Sequence, residues 1–216
     1  MKRTLSLMLA VVLMMSLCFI TACSDKEKDI VPETVEDCYT LYKDVFVDDD
    51  SIVLDVKIPQ LTFTTDTAKV INAEILAQFY TDDIQNALDG GFTNVQVYVK
   101  PKMTLYNDVF SMRIDGNLYP SYGTDGDVYI INYDTKTGER LSAEETIALL
   151  GHDYETVMAD LDKTIKDLYG NTVVSTELKG VFIYEDGTSE IVSYVNVKPV
   201  GADAWQSVCT MGIAAK

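Results

Sequence analysis

The stretch NYDTKTGERLSAEETIALLG, Asn132 to Gly151, admits two readings. Carboxylates on a turn suggest a metal loop. Their order suggests a strand, a turn and a helix. A calcium loop of the D-x-[DN]-x-[DN]-G kind needs oxygen ligands at alternate positions and a glutamate further on. DTKTGE places Lys136 at the central ligand position, so the register fails. Local structure accounts for each polar residue instead. Tyr129 to Tyr133 predicts a strand. Asp134 can bond the turn's backbone, and Gly138 can take φ above zero. Ser142 and Glu145 have the spacing of a capping box, and Glu144 adds negative charge at the helix's positive end. Ile147, Leu149 and Leu150 are expected to bury, with Gly151 as C-cap.

Outward from this stretch, periodicity assigns the other elements. Cys38 to Val47 is a first strand region. Ile52, Leu54, Val56 and Ile58 alternate with Val53, Asp55 and Lys57, the mark of a half-buried strand, ended at Pro59. From Asp66 to Leu88 the spacing becomes helical. Ala68, Ile71, Ile75 and Phe79 share a face, with Leu76, Ile84 and Leu88 beside them, and Gly90-Gly91 stop the helix. Val95 to Val99, Met103 to Tyr106, Val109 to Ile114 and Val128 to Tyr133 predict short strands. Asp153 to Tyr169 carries Tyr154, Val157, Met158, Leu161, Ile165 and Leu168 at helical spacing and ends at Gly170. GVFIYEDGTSEIVSYVNV predicts a hairpin with a two-residue Asp186-Gly187 turn, and Trp205 to Ile213 a last strand. Strands and helices are grouped rather than alternating. These elements predict an α+β fold, mostly antiparallel sheet with two or three helices packed on one face.

The N-terminus has another purpose. Lys2 and Arg3 precede an apolar run from Leu5 to Ile20, then Thr21, Ala22 and Cys23. A basic start, a short apolar core and small residues at the cut make a secretory signal. The run is too short for an ordinary transmembrane helix. ITAC resembles the lipobox of bacterial lipoproteins, although Ile20 stands where leucine is usual. That resemblance implies cleavage before Cys23 and a lipid anchor on its sulfur, with ~0.8 kcal/mol of membrane affinity for each buried acyl methylene. Plain secretion with cleavage after Ala22 is the simpler alternative. Residues 1–22 are thus expected to be a lipoprotein signal peptide, 23–36 a polar tether with Pro32, and 37–216 a single extracytoplasmic α+β domain.

The chain has 34 acidic and 17 basic residues, a formal charge of −17. Loss of Lys2 and Arg3 with the signal makes the mature charge −19. Such a surface repels nucleic acid and attracts cationic partners, although acidity also serves solubility alone. Cys38 and Cys209 remain after the signal and the anchor are set aside. In an oxidising compartment they could pair across a long loop, but spacing alone does not bring them together. Two cysteines and one histidine, His152, argue against zinc, and no metal or cofactor is expected.

Catalytic patterns are lacking. No G-x-S-x-G, H-E-x-x-H or P-loop occurs, and His152 sits between Gly151 and Asp153, which the pattern predicts to be an N-cap. Two suitably placed carboxylates would suffice for a hydrolase, but 34 acids hide any such pair. The chain is therefore read as a non-enzyme. The loop DGNLYPSYGTDGD, Asp115 to Asp127, sets Tyr119 and Tyr122 among glycines between two strands. Exposed tyrosines there suit sugar or protein recognition; covering the sheet edge is the plainer role.

A resemblance extends over about Leu41 to Tyr169. IVLDVKIPQL followed by DTAKVINAEILAQF, with Pro59, Leu61, Ile71 and Asn72 in register, resembles the strand-then-helix of a family of bacterial extracytoplasmic domains. Asp134, Thr137, Gly138, Leu141 and Ile147 match that family's second part. Its members include the ectodomain of a lysozyme-sensing anti-sigma factor and the non-catalytic part of a peptidoglycan deacetylase. The aromatic loop here lacks the family's histidine element, and the usual ending after Lys179 is missing. The resemblance implies a membrane-anchored, non-catalytic binding domain for a cell-wall polymer or a cationic protein such as lysozyme. A carboxylate-based cell-wall hydrolase and a scaffold in an envelope complex are the alternatives.

Overall fold

The computed structural model describes residues 32–49, 51–91, 94–119 and 126–214. The signal segment, Cys23 and Tyr122 lie outside them. Residues 31–216 cluster as one compact unit. Among the described residues no helix is long and apolar enough to cross a membrane.

A 3-10 turn at Val35–Cys38, capped by Thr34 and Asp37, leads into β1 (Tyr39–Asp49). Then come β2 (Ile52–Leu61), α1 (Asp66–Phe79), α2 (Asp82–Leu88), β3 (Val95–Tyr106), β4 (Val109–Tyr119), β5 (Asp127–Asp134) and β6 (Glu139–Leu141). Next are α3 (Ala143–Leu149), α4 (Tyr154–Tyr169), β7 (Val173–Ile183), β8 (Ser189–Val197) and β9 (Trp205–Ile213). The first six strands form one sheet in sequence order, parallel only between β2 and β3, where α1 and α2 make the crossover. The last three form an antiparallel sheet. The fold is α+β and mostly antiparallel.

The helices divide between the two sheets instead of sharing one face. Ile71, Ile75 and Phe79 of α1 pack with Val56, Val97, Met112 and Ile131 on one face of the large sheet. Val157, Leu161 and Ile165 of α4 pack with Ile191, Val195 and Cys209 of the small one. The sheets' other faces meet through Val128, Ile130, Val192 and Tyr194. Strands β5 and β8 are thus covered on both sides, which explains their near-continuous apolar runs.

Side chains stitch this inter-sheet seam. The edge of β7 meets no further strand of its own sheet. Its backbone is satisfied from the large sheet instead. Ile183 donates its N–H to Ser111 Oγ at 3.0 Å, and its carbonyl accepts from Thr104. Asn132 Nδ2 donates to the Val181 carbonyl at 2.8 Å. Gly180 lets β7 come close, since a Cβ there would lie 3.0 Å from that of Ile130.

Several sequence-based boundaries move. The predicted helix 66–88 breaks at Tyr80, and Thr81 Oγ1 caps the second part through Ile84 N–H. Strand β3 runs through Pro101, because pairing with β2 ends at Val99 and the missing N–H is not needed there. Pro59 does not end β2; it faces the bulge at Tyr42 in β1. The β7–β8 connection is a three-residue loop closed by Tyr184 and Thr188, in which Gly187 alone has positive φ. Leu149, expected to bury, is exposed, and so is Leu168 at the end of the helical pattern.

Candidate functional site

Strand β4 decides the site. Its sequence alternates Phe110, Met112, Ile114 and Leu118 with Ser111, Arg113, Asp115 and Asn117. The first set packs under α1 and α2. The second forms a polar column toward the small sheet. Ser111 takes the Ile183 N–H. Arg113 forks onto Asp115, with Nε 2.9 Å from Oδ2 and Nη2 2.7 Å from Oδ1, and reaches Glu190 across the seam at 2.7 Å. Burial opposes the guanidinium's charge, but the two carboxylates outweigh it and raise its pKa.

The column ends at Asn117, where a cavity of ≈ 270 Å³ opens at the stems of the Asp115 to Asp127 loop. Register builds its floor: Tyr98 on β3 stands opposite Asn117, and Lys100 opposite Asp115. Asp127, Val128 and Val208 complete the wall. Gly116 is required beneath, since a Cβ would lie 2.6 Å from the Phe79 ring. Lys100 Nζ is 2.8 Å from Asp55 Oδ2 and 4.9 Å from the centre of the Tyr98 ring. Tyr194 fixes the other stem: its hydroxyl accepts the Val128 N–H at 2.6 Å. Burial raises the pKa of that hydroxyl.

Asn117 Oδ1 is buried and has no hydrogen-bond partner among the described residues. An amide oxygen in that position calls for a donor beyond those residues. The cavity therefore offers acceptors, Asn117 Oδ1 and the carboxylate of Asp127, beside the flat ring of Tyr98. Its basic neighbours are already committed to acids. A ligand rich in N–H or O–H donors suits it, an ammonium or guanidinium above all.

The other sequence candidates fall as follows. Tyr119 closes β4 opposite Gln96, and its side chain lies outside the described residues, as does all of Tyr122. The aromatic residue lining the cavity is Tyr98, which the sequence reading did not single out. Cys38 and Cys209 do not pair. Both are free and buried, Cys38 in the core under α1 and Cys209 in the core under α4. Two separate cores hold the thiols, so the pairing that the sequence left open is not formed here. Asp134 Oδ1 accepts from Lys136 N–H at 2.8 Å and Thr137 N–H at 3.0 Å, so the DTKTGE carboxylate is occupied by its own turn. His152 Nε2 lies 3.0 Å from the Ala214 carbonyl and ties the chain's end to the α3–α4 connector. No group of three or more His, Cys, Asp or Glu side chains converges among the described residues.

No family model matches the chain, and no curated protein is significantly similar to it. Among solved structures, a DUF3298 family protein from Pseudomonas aeruginosa PAO1 is similar over 83% of this chain and 90% of its own. The identity is 12% and the TM-score 0.42, too loose a likeness to carry any functional argument.

Proposed function

We propose that the chain is a membrane-anchored extracytoplasmic lipoprotein whose domain binds a donor-rich, cationic ligand without transforming it. The observation that carries this reading is the acceptor-lined cavity at Asn117, set in a chain of formal charge −17. A lysine or arginine side chain of a cationic protein such as lysozyme could place its N–H groups on Asn117 Oδ1 and Asp127. The ITAC lipobox and the sequence resemblance support the anchoring and the partner class. Tyr98 favours a second reading, a cell-wall polymer, because a flat ring beside acceptors suits a sugar's apolar face and hydroxyls. Hydrolysis draws less support. Both oxygens of Asp115 are engaged by the Arg113 fork, which leaves Asp127 without a free carboxylate partner among the described residues of the cavity.

The test incubates the full-length chain, held in detergent, with lysozyme and separately with purified peptidoglycan. Retention of lysozyme, lost in Asn117→Ala, supports the reading. Retention of peptidoglycan alone transfers it to the polymer. Release of soluble wall fragments overturns it in favour of an enzyme.

A further inference from the structure

The seam holds a second recess of opposite character. Strand β6 pairs only with Asn132, Tyr133 and Asp134, so no strand pairs with the edge of β5 from Val128 to Ile131. Between that edge, α1 and β7 lies a cavity of ≈ 500 Å³, which continues beside β6 and the start of α3 as a further ≈ 230 Å³. The two parts share Ile130, Arg140, Leu178 and Lys179, and so form one groove with an apolar floor and a basic rim. The larger part alone is within the range of small-molecule sites, about 300–1,000 Å³.

Both cations are held in place. Glu74 Oε2 accepts from Arg140 Nη1 at 2.9 Å and from the Tyr129 hydroxyl at 2.5 Å. The guanidinium carbon lies 5.7 Å from the Tyr129 ring centre. Burial, then the bond to Glu74, raises the pKa of Tyr129 and keeps it a phenol that donates. Lys179 Nζ lies 4.6 Å from the Tyr194 ring centre and 3.1 Å from Glu177 Oε1. Glu74 and Glu177 are substantially exposed, and ion pairs of that kind are weak enough for an incoming anion to join or displace.

The inner end supplies a second and independent requirement. Asn132 is 3% exposed and lines the smaller part. Its Nδ2 donates to the Val181 carbonyl at 2.8 Å and to Thr146 Oγ1 at 3.2 Å. Thr146 gives its own hydroxyl proton to the Ser142 carbonyl at 2.8 Å, so it can only accept from Asn132. The amide orientation is fixed by these bonds, and Oδ1 is left without a partner among the described residues. The groove therefore presents two cations at its rim, each in an exposed ion pair that an anion can join, and one acceptor inside with no partner among the described residues.

We propose that this groove binds a small carboxylated ligand that also carries an amide N–H or hydroxyl donor. The carboxylate lies between Arg140 and Lys179, the body of the ligand against Ile130 and Leu178, and the donor on Asn132 Oδ1. The site stands on its own observations and does not depend on the ligand of the Asn117 cavity.

The test titrates the full-length chain in detergent with N-acetylmuramic acid, which has both groups, and with N-acetylglucosamine, which lacks the carboxylate. A charge-assisted bond sets the expected margin: the acid should bind about tenfold tighter or more. Nitrogen-resolved NMR should show the Asn132 side-chain amide moving as the acid is added. Lys179→Gln should weaken the acid by about tenfold with unchanged thermal unfolding, and Lys179→Arg should restore it. Equal affinity for both sugars, no binding of the acid at millimolar concentration, or shifts confined to Asn117 would each overturn the proposal. If Lys179→Gln fails to fold, the comparison of the two sugars on the wild-type chain still decides.

Discussion

Ser142 and Glu145 show how much a few residues can announce. Their S-x-x-E spacing predicted a capping box. In the structure Ser142 Oγ accepts the Glu145 N–H at 3.2 Å, while Glu145 Oε2 accepts the Ser142 N–H at 2.8 Å. Replacing Ser142 with Ala should cost about 1 kcal/mol in denaturant unfolding through the lost cap. Chelator should leave the melting temperature where it is, since Asp134 is bound to its own turn; a drop of several degrees would reopen the calcium reading. The Ser142 backbone N–H, then its hydroxyl, lowers the pKa of Glu145 from 4.5. A carboxylate whose pKa falls on folding stabilises above its unfolded value, and that contribution is lost as pH falls through the lower folded value. Glu145→Gln should thus destabilise at neutral pH, and its gap from wild type should close once the solution is well below pH 4.5. A gap that persists in acid would mean the charge is not what Glu145 contributes. Cysteine was the less legible residue type, because composition says nothing of which core a side chain enters. Burial pushes the Cys38 thiol up to about 12, with Asp37 and Glu36 adding to the effect. Native chain should leave Cys38 and Cys209 unalkylated at neutral pH, and denaturant without reductant should expose both. Mass spectrometry that finds a Cys38–Cys209 disulfide would contradict the separate cores.

At the scale of elements, alternation was readable where one face meets a helix and misleading where both faces are covered. Strand β2 and the first half of β3 show their inward residues plainly, as Leu54, Val56 and Ile58 or Val95, Val97 and Val99. Strands β5 and β8 lose that signal because each lies between a large core and the inter-sheet seam. The division into two sheets was invisible for the same reason. It depends on Ser111, Thr104 and Asn132 meeting the edge of β7, and buried polar residues in strands look like ordinary outward positions until their partners are known. Helix 66–88 was overextended because the apolar face continues across Tyr80 while the capping Thr81 resembles any interior threonine. Ser111→Ala tests the seam. It leaves the Ile183 N–H unmet inside the protein and should cost about 1–3 kcal/mol. Gly180→Ala should cost a similar amount, about 1–3 kcal/mol, by forcing a methyl against Ile130 at a backbone φ of 149°. Urea midpoints unchanged by either variant would show that the sheets are not joined along this line. The Asn117 cavity was half legible: its loop was singled out, but the acceptor column along β4 emerged only with the register of β3, β4 and β5.

For the whole molecule, charge and the proposed lipid anchor would set the terms of any encounter. Residues 1–23 carry the prediction of a lipid anchor, and Cys23→Ala should move the chain from the membrane fraction to the soluble one; a variant that stays membrane-bound and still takes up labelled lipid would end that idea. The remaining acidity draws cations over distances comparable with the Debye length, which shortens to ~8 Å at physiological salt. Long-range attraction governs the association rate, and short-range contacts in the cavity govern dissociation. Surface plasmon resonance separates the two with the full-length chain captured in detergent and lysozyme flowed over it at low and at physiological salt. The predicted result is association that slows clearly as salt rises, together with faster dissociation in Asn117→Ala at an unchanged salt slope, since that variant removes an acceptor and no charge. Absence of lysozyme binding even at low salt, or binding indifferent to Asn117, would contradict the central claim that the acceptor-lined cavity captures a cationic protein.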